Sequence, residues 1–203
     1  ATGTLAESVL EGSFALRGQG VDIDGSGGVD FANNAFRQMQ LEGRLLDPTL
    51  FGPDVVLDDA VLNVSLDGSF SNSGIPHELR IGRIAAGDIV FDDLAQQGTA
   101  QLEDGRVVLP LDASVARVAS GIEMFDPRLV NGTIGGTLTY AASSLASDDL
   151  AIDFPGLDAV LGLRGNFETG RFRLAGPVNM DDLQFAEMGL VDAAARSDFG
   201  IGG

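Results

Sequence analysis

The chain has 203 residues, of which 44% are hydrophobic, and it carries a formal net charge of −18 at pH 7. All 12 of its cationic residues are Arg, which against 30 acidic residues is too few for the basic surface that binds a nucleic acid backbone. The hydrophobic content excludes a disordered acidic tail, and the absence of Cys excludes disulfides and thiol chemistry.

The first notable stretch along the chain is "GVDIDGSGGVDFANN", residues 20–34. Its Asp22, Asp24 and Ser26 have the spacing of the first three ligands in an EF-hand calcium loop. Position twelve of such a loop would be Asn33, which offers one amide oxygen where calcium needs a bidentate carboxylate. We therefore predict a hairpin turn here. The glycines that would supply positive φ in that turn are Gly25, Gly27 and Gly28.

Further along, alternation of apolar and polar residues is the dominant pattern. In "DAVLNVSLDGSF", residues 59–70, the apolar members Leu62, Val64 and Leu66 point one way and the polar members the other. Shorter strands are predicted over 87–93, 105–114, 149–156, 159–167 and 170–178. Helix is expected only over 143–146 and 193–196.

Together these elements predict an all-β protein. Turn residues recur about every 8–12 positions, which is typical of an antiparallel meander rather than of βαβ units. Asp and Gly favour turns, whereas the Glu and Lys typical of helical surfaces are scarce or absent. The chain opens with "ATGTL" and stops at "DFGIGG", which both read as strand, so we expect 1–203 to be one β-segment of a longer protein.

Catalytic residue types are poorly supplied. The only histidine is His77, expected to be exposed, and no G-x-S-x-G motif is present. Asp pairs that begin at Asp58, Asp92 and Asp148 stand at strand entries, where capping of turns is the usual role. The chain is therefore not expected to be an enzyme or to hold a metal or cofactor. A carbohydrate hydrolase that uses one of these Asp pairs stays open as an alternative.

Four stretches carry a resemblance to a known family. They are "LRGQGVDIDGSGGVDFANNAFRQMQLEGRLLDP", "GDIVFDDLAQQGTAQLEDGRVVLPL", "NGTIGGTLTYAASSLASDDLAIDFPGL" and "LRGNFETGRFRLAGPVNMDDLQFAEMG". Their strands, L-x-G turns and "AGPV"-type punctuation resemble the AsmA-like proteins of Gram-negative envelopes, closest to the YdbH/TamB branch. None of these patterns is a catalytic signature.

The resemblance implies a bridge-like phospholipid transport protein. Such a protein is anchored in the inner membrane by a helix outside this segment, and a long β-sheet crosses the periplasm and carries acyl chains on its apolar face. Partners implied are phospholipid, a YnbE-like outer-membrane lipoprotein and a YdbL-like periplasmic protein. Membrane contact would come from parts of the parent chain beyond 1–203.

The expected fold is accordingly a long, twisted, mainly antiparallel sheet curled into an open hydrophobic groove. The candidate groove residues are Phe14, Leu16, Leu62, Val64, Leu66, Ile89, Phe91, Val107, Leu109, Leu111, Leu161, Leu163, Phe172 and Leu174. The same alternation is compatible with a closed β-sandwich, so the sandwich remains an alternative architecture. A second functional alternative is an extracellular adhesin stabilised by calcium at Asp22, Asp24 and Asp30.

Overall fold

The computed structural model describes residues 1–50, 52, 55–185 and 189–201. Fourteen strands are present in these ranges, and none of these residues is helical. The strands are β1 Thr2–Ala6, β2 Val9–Arg17, β3 Val21–Asp30, β4 Ala35–Leu45, β5 Val55–Asp58, β6 Val61–Ser69, β7 Asn72–Ala86, β8 Ile89–Glu103, β9 Arg106–Ala119, β10 Val130–Ala141, β11 Ser144–Phe154, β12 Leu157–Asn166, β13 Arg171–Phe185 and β14 Gly189–Ile201. No helix in the described ranges is long and apolar enough to cross a membrane.

All fourteen strands belong to one sheet. Its order follows the chain from β1 to β14 except that β5 lies off this path and pairs with β7. Every pair in the sheet is antiparallel. The expected long antiparallel meander is therefore confirmed.

Over the described ranges the sheet is open and has no second layer. Wherever strands in the described ranges make an extended set of close contacts, they are hydrogen-bonded neighbours. The accessible surface is 12286 Å², whereas a compact monomer of 21.0 kDa exposes about 9,000 Å². This excess of surface is what a single uncovered sheet produces, so the closed sandwich is ruled out.

Strand register separates the side chains into two faces, because directly paired residues of antiparallel strands point to the same side. One unbroken row of paired residues crosses the twelve strands from β2 to β14 that lie on the path, and its only polar member is Gln96. The row consists of Leu16, Ile23, Gly43, Leu62, Leu79, Gln96, Ala113, Ile134, Ile152, Ala159, Val178 and Ala195. We call this the apolar row and its side of the sheet the apolar face.

The row one residue away points to the other side, because successive side chains of a strand alternate. Nine of its twelve members are polar or charged. They are Arg17, Asp22, Arg44, Val61, Arg80, Ala95, Ser114, Thr133, Asp153, Asp158, Asn179 and Ala194. We call this side the polar face.

The buried side chains cluster on the apolar face of the middle strands. Val115, Val118 and Phe154 form one cluster, and Leu150, Ala159 and Leu161 form a second. These six residues belong to β9, β11 and β12. Because no second layer covers them, they are buried mainly by neighbouring side chains of their own sheet.

The structure corrects the prediction of a turn at residues 20–34. Residues 21–30 form the continuous strand β3, and the turns lie on either side, at 18–20 and 31–34. Of the three glycines expected to have positive φ, only Gly27 does, and it faces an irregularity of β4 between Gln38 and Met39. Glycine serves close packing of strands here, which sequence alone does not distinguish from a turn.

The two predicted helices are also wrong. Residues 144–146 begin β11, and 193–196 lie within β14. Residues 142 and 143 form the preceding turn, where both Ala142 and Ser143 have positive φ. Pairing with long neighbouring strands overrides the helical preference of these alanine-rich stretches.

Candidate functional site

Register places the fourteen candidate groove residues on the apolar face. Twelve of them lie an even number of residues from a member of the apolar row on the same strand, with no intervening irregularity. These are Phe14, Leu16, Leu62, Val64, Leu66, Val107, Leu109, Leu111, Leu161, Leu163, Phe172 and Leu174. Leu16, Leu62 and Ile89 are exposed, Leu161 is buried, and the others are half-buried.

The remaining two candidates, Ile89 and Phe91, reach the same face through a change of phase in β8. Asp93 has a φ of 52°, and this left-handed residue lets Phe91 and Leu94 point to the same side although they are three residues apart. Both pack against the cluster of Val115, Val118 and Phe154. Ile89 lies two residues before Phe91 on the same strand, so its side chain points to the same face.

Three phenylalanine rings lie flat over glycines of a neighbouring strand. A Cβ atom at Gly25 would stand 2.4 Å from the ring of Phe14, and one at Gly165 would stand 2.1 Å from that of Phe172. The ring of Phe154 covers Gly132 in the same way, also at 2.1 Å. Each ring therefore lies along the sheet instead of standing on it, so the apolar face has low relief at these places.

The fourteen candidate groove residues do not include several other residues that lie beside them on the apolar face. Val115, Val118, Leu150, Phe154 and Ala159 are the most important, because they form the buried clusters. The alternation of "DLAIDFPG" already indicated Leu150 and Phe154, whereas Val115 and Val118 are three residues apart in "DASVARVAS" and do not alternate. The aromatic residues Tyr140 and Phe167 were also omitted, and they form an edge-to-face chain with Phe172, with centroids 6.0 and 5.2 Å apart.

The polar face holds the ion pairs found in the described ranges. Arg17 bonds to Asp24 at 2.6 Å, and Arg173 bonds to Asp198 at 2.5 Å across β13 and β14. The other pairs are Arg17–Asp22, Arg37–Asp30, Arg44–Glu42, Arg80–Glu78, Arg106–Glu103 and Arg164–Asp148. Charge is thus concentrated on one side of the sheet.

Asp30 is the buried acidic residue of the polar face, and it holds the β3–β4 turn. Its carboxylate accepts hydrogen bonds from the backbone N–H groups of Ala32 and Asn33 and from the side chains of Asn33 and Arg37. The side-chain hydrogen bond from Asn33, followed by that from Arg37, lowers the pKa of Asp30 to about 2. Asp30 is therefore ionised at neutral pH, and its carboxylate stabilises the β3–β4 turn.

The acidic residues considered for calcium do not converge. Asp22 and Asp24 project from a strand and contact Arg17, while Asp30 contacts Arg37. In the described ranges, no group of three or more His, Cys, Asp or Glu side chains is placed to hold a metal ion. Calcium prefers six to eight oxygen ligands, which these separated carboxylates do not supply.

The Asp pairs considered for hydrolysis face arginines. Asp92 lies opposite Arg83 on one side and Arg117 on the other, and Asp58 also lies opposite Arg83. Asp148 forms its ion pair with Arg164. Each carboxylate thus lies among cross-strand charges of opposite sign, an arrangement typical of sheet surfaces.

His77 is half-buried on β7, which corrects the expectation that it is exposed. Its Nδ1 lies 3.2 Å from the carbonyl oxygen of Ile75, and its Nε2 lies 3.4 Å from Nε2 of Gln96. The Gln96 amide in turn donates to the Pro110 carbonyl oxygen and accepts from the Asp112 N–H. These bonds bridge β8 and β9 where their direct register pairs are interrupted, so this polar group has a structural role.

Comparison of the chain with protein-family models, with curated proteins and with solved structures found no match in any of the three.

Proposed function

We propose that this chain is a non-enzymatic segment of a phospholipid transport protein, and that acyl chains move along its apolar face. The observation that carries this proposal is the apolar row, which crosses twelve strands of an open sheet with one polar interruption. Eleven steps of about 4.8 Å give this row a length of about 53 Å. That length exceeds any single acyl chain, so the surface suits passage along the sheet.

The mechanism needs no reacting group. Each methylene group removed from water gains about 0.8 kcal/mol, so a tail held against aliphatic side chains is stabilised at every position along the row. Because neighbouring positions are chemically alike, moving a tail from one strand to the next costs little. The phospholipid head group stays in water beyond the rim of the sheet.

The polar face keeps the sheet soluble and restricts lipid contact to the apolar face. Its ion pairs and the net charge of −18 keep that side hydrated, and the charge repels anionic head groups from it. We extend the proposal to location and partners on the resemblance alone. The segment acts in the periplasm of a Gram-negative envelope, within a parent protein anchored in the inner membrane, together with YnbE-like and YdbL-like proteins.

Photocrosslinking from adjacent residues on opposite faces tests the proposal. A benzophenone amino acid is placed at Leu62 on the apolar face or at Asn63 on the polar face, and both positions are exposed. After expression in a Gram-negative host and irradiation, we expect phospholipid adducts at position 62 and none at position 63, measured by mass spectrometry of the intact protein.

A second pair repeats the comparison at the β2 end of the row, with Leu16 on the apolar face and Ala15 on the polar face. Equal crosslinking from both faces, or no lipid adduct from either apolar position, would refute the transport proposal. Adducts to a protein instead of a lipid would assign the apolar face to a protein interface.

A further inference from the structure

The apolar face carries a cleft among its first four strands. The cleft has a volume of about 300 Å³ and is bounded by Leu10, Phe14, Val29 and Met39. Its floor follows one line of register, Gly3 opposite Gly12 and Gly12 opposite Gly27, so no side chain rises from it. The cleft therefore runs across the strands, in the direction of the apolar row.

The walls of the cleft are close to each other, and Leu10 remains exposed. Leu10 and Phe14 stand on β2 two residues to either side of Gly12, which separates their Cα atoms by about 13–14 Å. Their side chains occupy part of that width, so an α-helix about 10–12 Å across does not fit. A single unbranched alkyl chain does. Leu10 is 42% exposed, so an occupant would remove its apolar surface from water.

Strand backbone bounds the cleft at both ends. A Cβ atom at Gly27 would stand 2.4 Å from the Cα atom of Met39, because the irregular part of β4 approaches the floor there. On the other side a Cβ atom at Gly12 would stand 2.2 Å from the carbonyl oxygen of Thr2, and Ala1, Thr2 and Gly3 of the β1 region line the cleft. The cleft therefore has a limited length, between β1 and Met39.

From this geometry we propose that the cleft seats the terminal part of one phospholipid acyl chain, in the space between β1 and Met39. The proposal rests on the transport function proposed above, and it assigns to this region a fixed binding position in place of free sliding. A volume of about 300 Å³ holds about ten methylene groups if each takes about the 30 Å³ of a liquid water molecule. The occupant is thus a segment of about ten carbons.

A chain-length series tests the limited length of the cleft. Lysophosphatidylcholines with 6 to 16 acyl carbons are titrated below their micelle concentrations, and binding is measured by calorimetry. We expect the Kd to fall about three- to fourfold for each added methylene up to about ten to twelve carbons and then to level off. A Kd that continues to fall beyond fourteen carbons, or no saturable binding, would overturn the proposal. Tighter binding of dodecanoate than of the twelve-carbon lysolipid would overturn the assignment to phospholipid.

Two matched substitutions locate the binding. Val29→Trp places an indole in the cleft, whereas Val61→Trp makes the same change on the polar face of β6, outside it. We expect Val29→Trp to weaken binding of the twelve-carbon lysolipid more than tenfold and Val61→Trp to change it less than twofold. Equal effects of the two substitutions would refute the cleft. If Val29→Trp does not fold by circular dichroism, Leu10→Ser replaces it, with an expected loss of about tenfold.

These outcomes separate the cleft from the transport function. Lipid adducts at Leu62 without a plateau in the chain-length series would keep transport and remove the cleft. A plateau without any lipid adduct at Leu62 would keep the cleft as an isolated alkyl site and remove transport.

Discussion

The N-terminal strands β1–β4 and the central strands β8–β12 share the same alternating pattern, yet their apolar faces differ in exposure. Leu5 and Leu16 in the N-terminal region are 69% and 59% exposed, whereas Val115 and Phe154 in the centre are 1% and 5% exposed. The same pattern therefore produces an open apolar surface in one region and a tightly packed one in the other. Alternation sets which side chains share a face, and other features decide whether they cover one another.

Side-chain size is the first of these features. Glycines form the floor of the N-terminal cleft. Because glycine has no side chain, the space above this floor, between the side chains on either side of it, is not filled. In the centre, Phe154 lies over Gly132 and reaches Val115 and Val118 two strands away. The Phe154 ring therefore joins three strands of the centre, whereas the line of Gly3, Gly12 and Gly27 leaves part of the N-terminal surface open.

The connection between β9 and β10 is the second feature. Leu129, at its end, packs against the central cluster, and the Arg128 guanidinium donates to the carbonyl oxygen of Asp181 at 2.7 Å. The connection thereby spans the ends of β11 and β12. Asp126 holds it together by accepting hydrogen bonds from the N–H and hydroxyl groups of Ser120.

Removing the central ring should have the largest effect and tests whether the centre is a true core. We expect Phe154→Ala to lower the free energy of unfolding by about 3–5 kcal/mol, because it empties a packed site. Leu16→Ala, on an exposed N-terminal position, should cost less than about 1 kcal/mol. Urea unfolding followed by circular dichroism measures both. Equal losses would show that the two regions are packed alike.

A smaller effect is expected from adding a methyl group beneath the same ring. Gly132→Ala should cost about 1–3 kcal/mol, since its Cβ would lie 2.1 Å from the Phe154 ring, which is itself confined. Gly43→Ala on β4 is the matched control, because the nearest atom to its Cβ would be at 3.9 Å. The control should leave stability unchanged or slightly raised, as alanine orders a strand better than glycine. A Gly132→Ala protein as stable as the control would contradict the flat packing of Phe154.

The N-terminal region contains the polar turn held by Asp30, and acid should weaken it. The folded pKa of Asp30, about 2, lies below the unfolded value of about 4, so its stabilisation is complete above pH 4 and is lost as the pH falls towards 2. We expect Asp30→Asn to lower the urea midpoint at pH 6 and to leave it equal to wild type near pH 2. Asp153→Asn controls for the loss of one negative charge. A constant difference between Asp30→Asn and wild type from pH 6 to pH 2 would exclude this linkage.

The sequence predicted the faces of the sheet better than the ends of its strands. Alternation placed residues such as Leu62, Val107 and Leu174 on one face, because a period of two needs no tertiary information. It underestimated strand length: 87–93 was expected as a short strand, whereas β8 continues to Glu103. The continuation "LAQQGTAQ" is polar and contains Gly98, and it is a strand because β7 and β9 flank it.

Irregularities of the strands were the main features that the sequence did not reveal. The left-handed conformation of Asp93 shifts the alternation of β8, and it depends on the neighbouring strands rather than on a local motif. The glycines of β3 read as a turn because the ring of Phe14 over Gly25 comes from another strand. For the same reason the cleft at Gly3, Gly12 and Gly27 is visible only once register aligns three separate segments.

The smallest effects on stability are expected from substitutions of exposed leucines in the N-terminal region, and these substitutions test most directly whether the N-terminal and central regions differ. Leu5→Ser and Leu16→Ser replace side chains that are already more than half exposed, so each should change the free energy of unfolding by no more than about 0.5 kcal/mol. If the N-terminal apolar surface exists to contact hydrocarbon, the same substitutions should nevertheless reduce phospholipid crosslinking from Leu62 severalfold. Ala15→Ser, on the polar face between them, should affect neither quantity. Substitutions that destabilise the fold as strongly as Phe154→Ala would instead make this surface part of the core, and the distinction between the two regions would disappear.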